Sequence, residues 1–406
     1  MKLYTTEKIR NIGLVGHGGT GKTSLAEAML FHTGANTRIG KVDDDSSVMN
    51  YDPEETKRKA TVGTSLAALE YKDHKINLLD APGFDDFLGE VYKISGAIDM
   101  AIVTVNAQSG VEVGTEKNWA ILEEAKTPRI VYLSKLDKEN INLDKTLTQL
   151  KSLDSKITPV IVPWGTFDKL KGVIDLIDMK AYAYTDDKGK AIEVKDVPAD
   201  MMDYAKGLRE PMVESIVECD EALMEKFFDG QEISPTELRS ALRKGLAKNE
   251  IKPLISGMAL KSIGTENLLD FIINCTPSPA ECRVLTTVKA GTDEEVKFNN
   301  DPNGPVCGFI FKKINEQAGD MIFMRAISST FLPGTEYYNP TTENFERFSS
   351  FSTLRGKTKI DIEKVVAGDI VALVKPKNST HGHTLCEKSN QVQVKVPALP
   401  LAKLTY

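Results

Sequence analysis

Residues 16–23 read "GHGGTGKT" and fit the pattern G-x-x-x-x-G-K-[ST]. In such a loop Gly16, Gly18, Gly19 and Gly21 let backbone N–H groups, those of His17 and Thr20 among them, turn inward around phosphate oxygens. The helix N-terminus that follows favours an anion. Lys22 supplies a point charge for terminal phosphates, the Thr23 hydroxyl can ligate magnesium, and Ser24 completes the candidate phosphate set. "DAPG" at 80–83 adds a carboxylate, Asp80, for the magnesium shell and a backbone N–H, at Gly83, for a γ-phosphate. Thr61 lies between the two motifs, where a loop threonine can close on the metal. "SKLD" at 134–137 suits a base. Asp137 can accept two hydrogen bonds from guanine N1–H and the 2-amino group, Lys135 can lie along the base face, and Ser134 precedes them. Adenine would leave that carboxylate without partners, at a cost of several kcal/mol. The expected ligands are GTP or GDP with Mg2+.

These residues need a scaffold that brings strand ends together. "IRNIGLV" at 9–15, "INLLD" at 76–80, "MAIVTV" at 100–105, "RIVYLSK" at 129–135 and "KPLIS" at 252–256 are short apolar runs, most of them followed by a loop and helical sequence. Buried parallel strands alternating with helices imply an α/β fold, a doubly wound and mostly parallel sheet. Residues from about 160 to 250 differ in texture, with a hairpin-like "TDDKGKAIEV" and charged helical sequence, and are expected to form an inserted α+β subdomain. "TPSPAEC" at 276–282 reads as a linker. Beyond it, short strands separated by Gly, Pro and Asn turns suggest an all-β barrel. The expected division is 1–282, 283–396, and a further domain beginning at 397–406.

The chain has 406 residues, 41% hydrophobic and 27% charged, too long for one ordinary core. No apolar run approaches the roughly 20 residues that span a bilayer, and "MKLYTTEKIR" does not read as a signal peptide. Five scattered cysteines lack C-x-x-C pairing, which argues against structural disulfides and zinc and for a reducing cytoplasm. A net charge of −7 excludes a generic nucleic-acid coat, so an RNA partner must be met by local basic patches.

In this order the motifs resemble those of the translational GTPases, most closely elongation factor G. "NIGLVGHGGTGKTSL", "MNYDPEETKRKATV", "DAPGFDDFLGEV", "RIVYLSKLDK" and "LISGMALKSIGTENLLDFIINCTPSP" are similar to the family's five G-motifs and domain boundary. "VIVPWGTFDKLKGVIDLIDMKAYAY" resembles the start of its G′ insertion, and "GPVCGFIFKK…VVAGDIVALV…HGHTLC" its β-barrel second domain. The resemblance implies a cytoplasmic, monomeric protein that binds GTP and magnesium and docks on ribosomal RNA and proteins to assist translocation, with no membrane or DNA partner. It also adds Gly257, Met258 and Ala259 to the nucleotide site as the fifth motif. The family's later domains are expected beyond the end of this sequence. Departures are Gly19 for a usual aspartate, Ser134 for Asn or Thr, Met258 for serine, and Phe84 for the catalytic histidine.

Phe84 bears most on the chemistry. GTP hydrolysis depends on positioning an in-line water, and phenylalanine has neither donor nor acceptor. Losing such a group commonly costs a factor of about 10², or about 2.7 kcal/mol at the barrier. The candidate catalytic set is Phe84, Thr61 and Gly83, with Asp85 or Asp86 as alternative water-positioning groups. Two functions stay open: a ribosome-dependent GTPase, and a GTP-gated ribosome-binding factor that hydrolyses little. A phosphate-loop kinase fits the first motif only.

Overall fold

The computed structural model describes residues 1–395, apart from 187, 283–284 and 317–318. The segment expected to begin a further domain, 397–406, lies outside the described residues.

The N-terminal half alternates strand and helix. In chain order it runs β1 (Ile9–Val15), α1 (Lys22–His32), α2 (Pro53–Arg58), β2 (Ser65–Tyr71), β3 (His74–Asp80), α3 (Leu88–Ser95), β4 (Met100–Asn106), α4 (Val113–Glu124), β5 (Arg129–Ser134), α5 (Leu143–Leu153) and β6 (Ile157–Trp164). Then come β7 (Gly172–Asp175), β8 (Lys180–Tyr184), β9 (Ile192–Asp196), α6 (Ala199–Val217), α7 (Glu221–Phe228) and α8 (Pro235–Ala247), before β10 (Lys252–Ser256) and α9 (Thr265–Cys275). Strands β1, β5 and β10 are buried along their whole length, as apolar strands covered on both faces must be. β3, β1, β4, β5, β10 and β6 pair in parallel. The register puts Leu14 beside Asp80, Val15 beside Val103, and Asn106 beside Ser134. The carboxyl ends therefore share one edge, which is where ligands bind in open α/β sheets.

β2 flanks this core antiparallel to β3, while β7, β8 and β9 extend the other side as an antiparallel meander from β6. Helices α6 and α8 of the same segment pack together, with α6 against β6. β8 and β9 enclose the turn read from "TDDKGKAIEV".

The C-terminal half is all β: β11 (Thr287–Lys289), β12 (Glu295–Val296), β13 (Cys307–Glu316), β14 (Gly319–Ser328), β15 (Glu336–Asn339), β16 (Asn344–Arg347), β17 (Phe351–Arg355), β18 (Thr358–Ile362), β19 (Ile370–Val374), β20 (Thr384–Cys386) and β21 (Val392–Val394). Its strands run β18-β17-β19-β14-β13-β20-β15-β16 around a core that includes Ile310, Phe331, Phe351 and Leu373.

The two halves meet through buried polar groups. Lys75 of β3 donates to both carboxylate oxygens of Asp369 at 2.8 Å, and Arg325 of β14 pairs with Asp99. Asn11 donates to Asp99 and to the Gly368 carbonyl, and Asn77 donates to Asp369. Each charge has a partner; removing one partner of such a pair typically costs about 3–5 kcal/mol. β17 also bonds to β2 near Arg355 and Ala67, so the all-β half adds a strand to the edge of the α/β sheet.

"TPSPAEC" connects α9 to the all-β half and is held in place along its length. Thr276, Ser278 and Pro279 are buried, Ser278 donates to Glu281, Glu281 pairs with Arg243, and Asn300 donates to the Pro279 carbonyl. Proline content signalled extended chain; the contacts that fix it come from distant residues.

Candidate functional site

At the carboxyl edge of the sheet lies a cavity of about 270 Å³. Gly19, Gly21, Lys22, Thr23, Ser24, Thr61, Gly83, Phe84 and Lys135 of the sequence-derived set line it, joined by Lys41, Val42, Asp43, Lys59, Ala60 and Leu260. The sequence-derived residues come from separate stretches of chain, gathered because β1, β3 and β5 end at the same edge of the sheet.

The loop after β1 needs its glycines. Gly16 has φ +138°, and a side chain there would meet the Thr104 carbonyl at 2.5 Å. Gly19 and Gly21 are also left-handed. Thr20 points inward, donating to the His17 carbonyl and meeting the Thr104 hydroxyl at 2.7 Å. Ser134 donates to the Thr20 carbonyl at 2.6 Å, so the serine that replaces Asn or Thr still braces the loop. His17 leans away toward Glu112, with its Nε2 3.7 Å from the carboxylate.

Lys22 lies in the loop, donating to the carbonyls of Gly16 and His17 at 3.0 and 2.9 Å. Burial pulls its ammonium down to about 8, opposed by nearby Asp80. Burial likewise pushes the Asp80 carboxyl up to about 7, against the Thr23 hydrogen bond and the Lys22 charge. Thr23 donates to Asp80 Oδ2 at 2.6 Å and stands 3.2 Å from the Thr61 hydroxyl. Asp80 Oδ1 is buried without a hydrogen-bond partner among the described residues. Two hydroxyls and an under-satisfied carboxylate form an all-oxygen donor set suited to a hard divalent cation that also takes phosphate oxygens. Gly83 is forced: a Cβ there would lie 2.3 Å from Lys22 Nζ and 2.9 Å from Gly18 Cα.

Two glutamates that the sequence reading passed over hold the loop bearing Thr61. Fully buried Glu27 of α1 accepts from Ser47 Oγ and the Val48 and Met49 N–H groups on one oxygen, and from Gly40 N–H on the other. Glu55 of α2 accepts from Val62 and Gly63 N–H. Burial raises its carboxyl despite those donors. Glu27 lies outside every motif quoted above and Glu55 inside "MNYDPEETKRKATV", but their partners lie 7 to 22 residues away, so no local signal exposes these contacts.

Phe84 is 52% exposed, with its ring edge against Gly18: a Cβ on Gly18 would lie 3.3 Å from Phe84 Cε1. An apolar ring thus stands on the cavity wall with Lys22 and Gly83. Asp85 is ion-paired to Lys117 of α4. Asp85 and Asp86 are both exposed and off the described cavity wall.

Lys135 has φ +58° and lines the same wall, whereas Asp137 lies beyond it, 3.4 Å from Lys138 Nζ. Gly257 and Met258 are held to neighbouring strands and turns: Gly257 N–H donates to Leu133 O and Met258 exchanges two hydrogen bonds with Ile263. Ala259 is buried, and the adjacent Leu260 reaches the cavity. Sequence adjacency to Ala259 was the available signal for Leu260, as adjacency to Thr61 was for Lys59 and Ala60.

Residues 7–278 match the family model of the elongation factor Tu GTP binding domain, and residues 305–388 that of elongation factor G domain 2. A crystal structure of a protein from Thermus thermophilus is similar across 98% of this chain, with 30% sequence identity and a TM-score of 0.83. This chain spans 56% of that protein's length. An α/β sheet in the first half and an all-β second half thus fall where the two family models match, and the chain belongs to the translational GTPases of the elongation factor G type.

Proposed function

We propose that this chain binds GTP and GDP with Mg2+ and acts in the cytoplasm on the ribosome, in translocation, as a monomeric factor that hydrolyses GTP slowly. Gly16 to Ser24 and Gly83 hold the phosphates, Asp137 and Lys135 read the base with Ser134 and Gly257–Ala259 behind them, and Thr23, Thr61 and Asp80 hold the metal. Bound Mg2+ would neutralise phosphate charge. Toward it, Thr23 and Thr61 offer hydroxyl oxygens, and Asp80 a buried acceptor. The domain division at 282, with an insertion between about 160 and 250, belongs to the same proposal. Among the described residues no helix is long and apolar enough to cross a membrane.

Slow hydrolysis is carried by one observation, the Phe84 ring against Gly18 on the cavity wall. With no donor or acceptor, it leaves the water to be oriented by Thr61, backbone or an external group. The same observation favours a second reading, a GTP-gated ribosome-binding factor with little or no GTPase activity. Single-turnover GTP hydrolysis, with and without saturating ribosomes, tests both. The unaltered chain is expected to be slow in each condition, and Phe84→His to gain about a hundredfold with ribosomes only. Fast ribosome-stimulated turnover with Phe84 in place would overturn the proposal.

A further inference from the structure

Helix α2 begins with a sound cap, Asp52 accepting from Glu54 N–H and Pro53 in the first turn. It ends abnormally. Ala60 N–H returns to the Glu55 carbonyl and Lys59 N–H to Thr56, the paired closure in which the turning residue is left-handed and usually glycine. Here that residue is Lys59, at φ +51°. α4 closes the same way on Lys126, so the conformation alone is no reason for a lysine here.

The position supplies one. Lys59 lines the nucleotide cavity two residues before Thr61, with Lys22, Gly83 and Phe84 on the same wall. Its ammonium is paired with Asp45, another left-handed residue, on the loop that Glu27 anchors. Both partners are more than 40% exposed, 41% for Lys59 and 48% for Asp45. An exposed pair of this kind contributes little and breaks readily. A γ-phosphate brings more negative charge than one carboxylate, to a partly enclosed site where charge-assisted hydrogen bonds are stronger.

Resting on the guanine-nucleotide reading of this site, we propose that Lys59 is a further phosphate-binding residue, whose ammonium leaves Asp45 for the γ-phosphate and so favours GTP over GDP. Lys22 reaches the phosphates from beneath, out of the loop after β1; Lys59 reaches them from the covering segment. The contact exists only with a third phosphate, which makes the Thr61 loop responsive to the nucleotide's state. Freed from Lys59, Asp45 is left exposed to water.

Lys59→Gly separates charge from fold, because glycine is the residue this backbone favours. Affinities of the 406-residue chain for a non-hydrolysable GTP analogue and for GDP, both with Mg2+, are measured by calorimetry. Lys59→Gly is expected to weaken the analogue about tenfold and GDP less than about twofold, with an unchanged or higher melting temperature. Lys59→Arg is expected to keep the preference, and Asp45→Asn to keep or increase it. Equal losses for both nucleotides, or no loss for either, would overturn the assignment to the γ-phosphate. A wild-type chain that bound neither nucleotide would instead overturn the guanine-nucleotide reading on which it rests.

Discussion

Replacing Glu27 should loosen the loop that carries Thr61 without touching any residue on the cavity wall. One carboxylate oxygen accepts from Ser47 Oγ at 2.7 Å, Val48 N–H at 2.6 Å and Met49 N–H at 3.0 Å; the other accepts from Gly40 N–H at 3.2 Å. Glu27→Gln can keep an oxygen toward the first three donors but turns an NH2 toward Gly40. One buried N–H then loses its acceptor, at about 1–3 kcal/mol. Glu27→Ala strands these four donors and the longer Asn36 Nδ2 contact, and opens a void, so about 4–5 kcal/mol is expected even if water rescues some of them. Native-state proteolysis within residues 36–50 reads this opening free energy locally, which a global melt of a two-part protein does not. The expected order is wild type, then Gln, then Ala in rising susceptibility, with GTP affinity falling in step. A Glu27→Ala chain less than about 1 kcal/mol easier to open would refute the anchoring role.

Asp137→Asn should weaken GTP by about 2 kcal/mol or more and improve xanthine nucleotide binding, because the exchanged amide offers xanthine a complementary pattern; competition binding checks it. Gly83→Ala should cost about tenfold or more in GTP affinity, since Lys22 can shift from the new methyl but the Gly18 backbone cannot; calorimetry reads it. Burial would raise Glu90, yet Lys312, Lys93 and the Thr64 N–H outweigh it and hold its carboxyl at about 2. Being depressed in the fold, it contributes stability present above the unfolded value near 4.3 and lost as pH falls toward about 2. Acid unfolding between those limits should flatten in Glu90→Gln, by on the order of 3 kcal/mol.

Strand ends and the glycine-rich turn after β1 were legible because each is a local pattern: an apolar run, then glycines of defined spacing. Asp80 and Ser134 could be placed at strand tips for the same reason. β2, "SLAALEY", was missed; its weak pattern becomes a strand by pairing with β3 and with the distant β17, near Arg355 and Ala67. The buried network of Lys75, Asp99, Arg325 and Asp369 was equally hidden, since charged residues in sequence read as surface. "TPSPAEC" could be read as a connection from its composition, but composition does not report what packs on it. At the site, the identity of Phe84 was plain, but its approach to Gly18 needed the fold. Lys41 lies outside every motif, and Leu260 and Lys59 were marked only by their neighbours Ala259 and Thr61; the closing of loops over a common edge brings the three together.

The central claim is that the cavity at the carboxyl edge selects guanine nucleotides, and calorimetric titration of the chain with GTP, GDP and ATP in the presence of Mg2+ tests it most directly. GTP and GDP are expected to bind and ATP to bind at least about a thousandfold more weakly, since adenine cannot satisfy the Asp137 carboxylate. Equal affinity for ATP and GTP would contradict it.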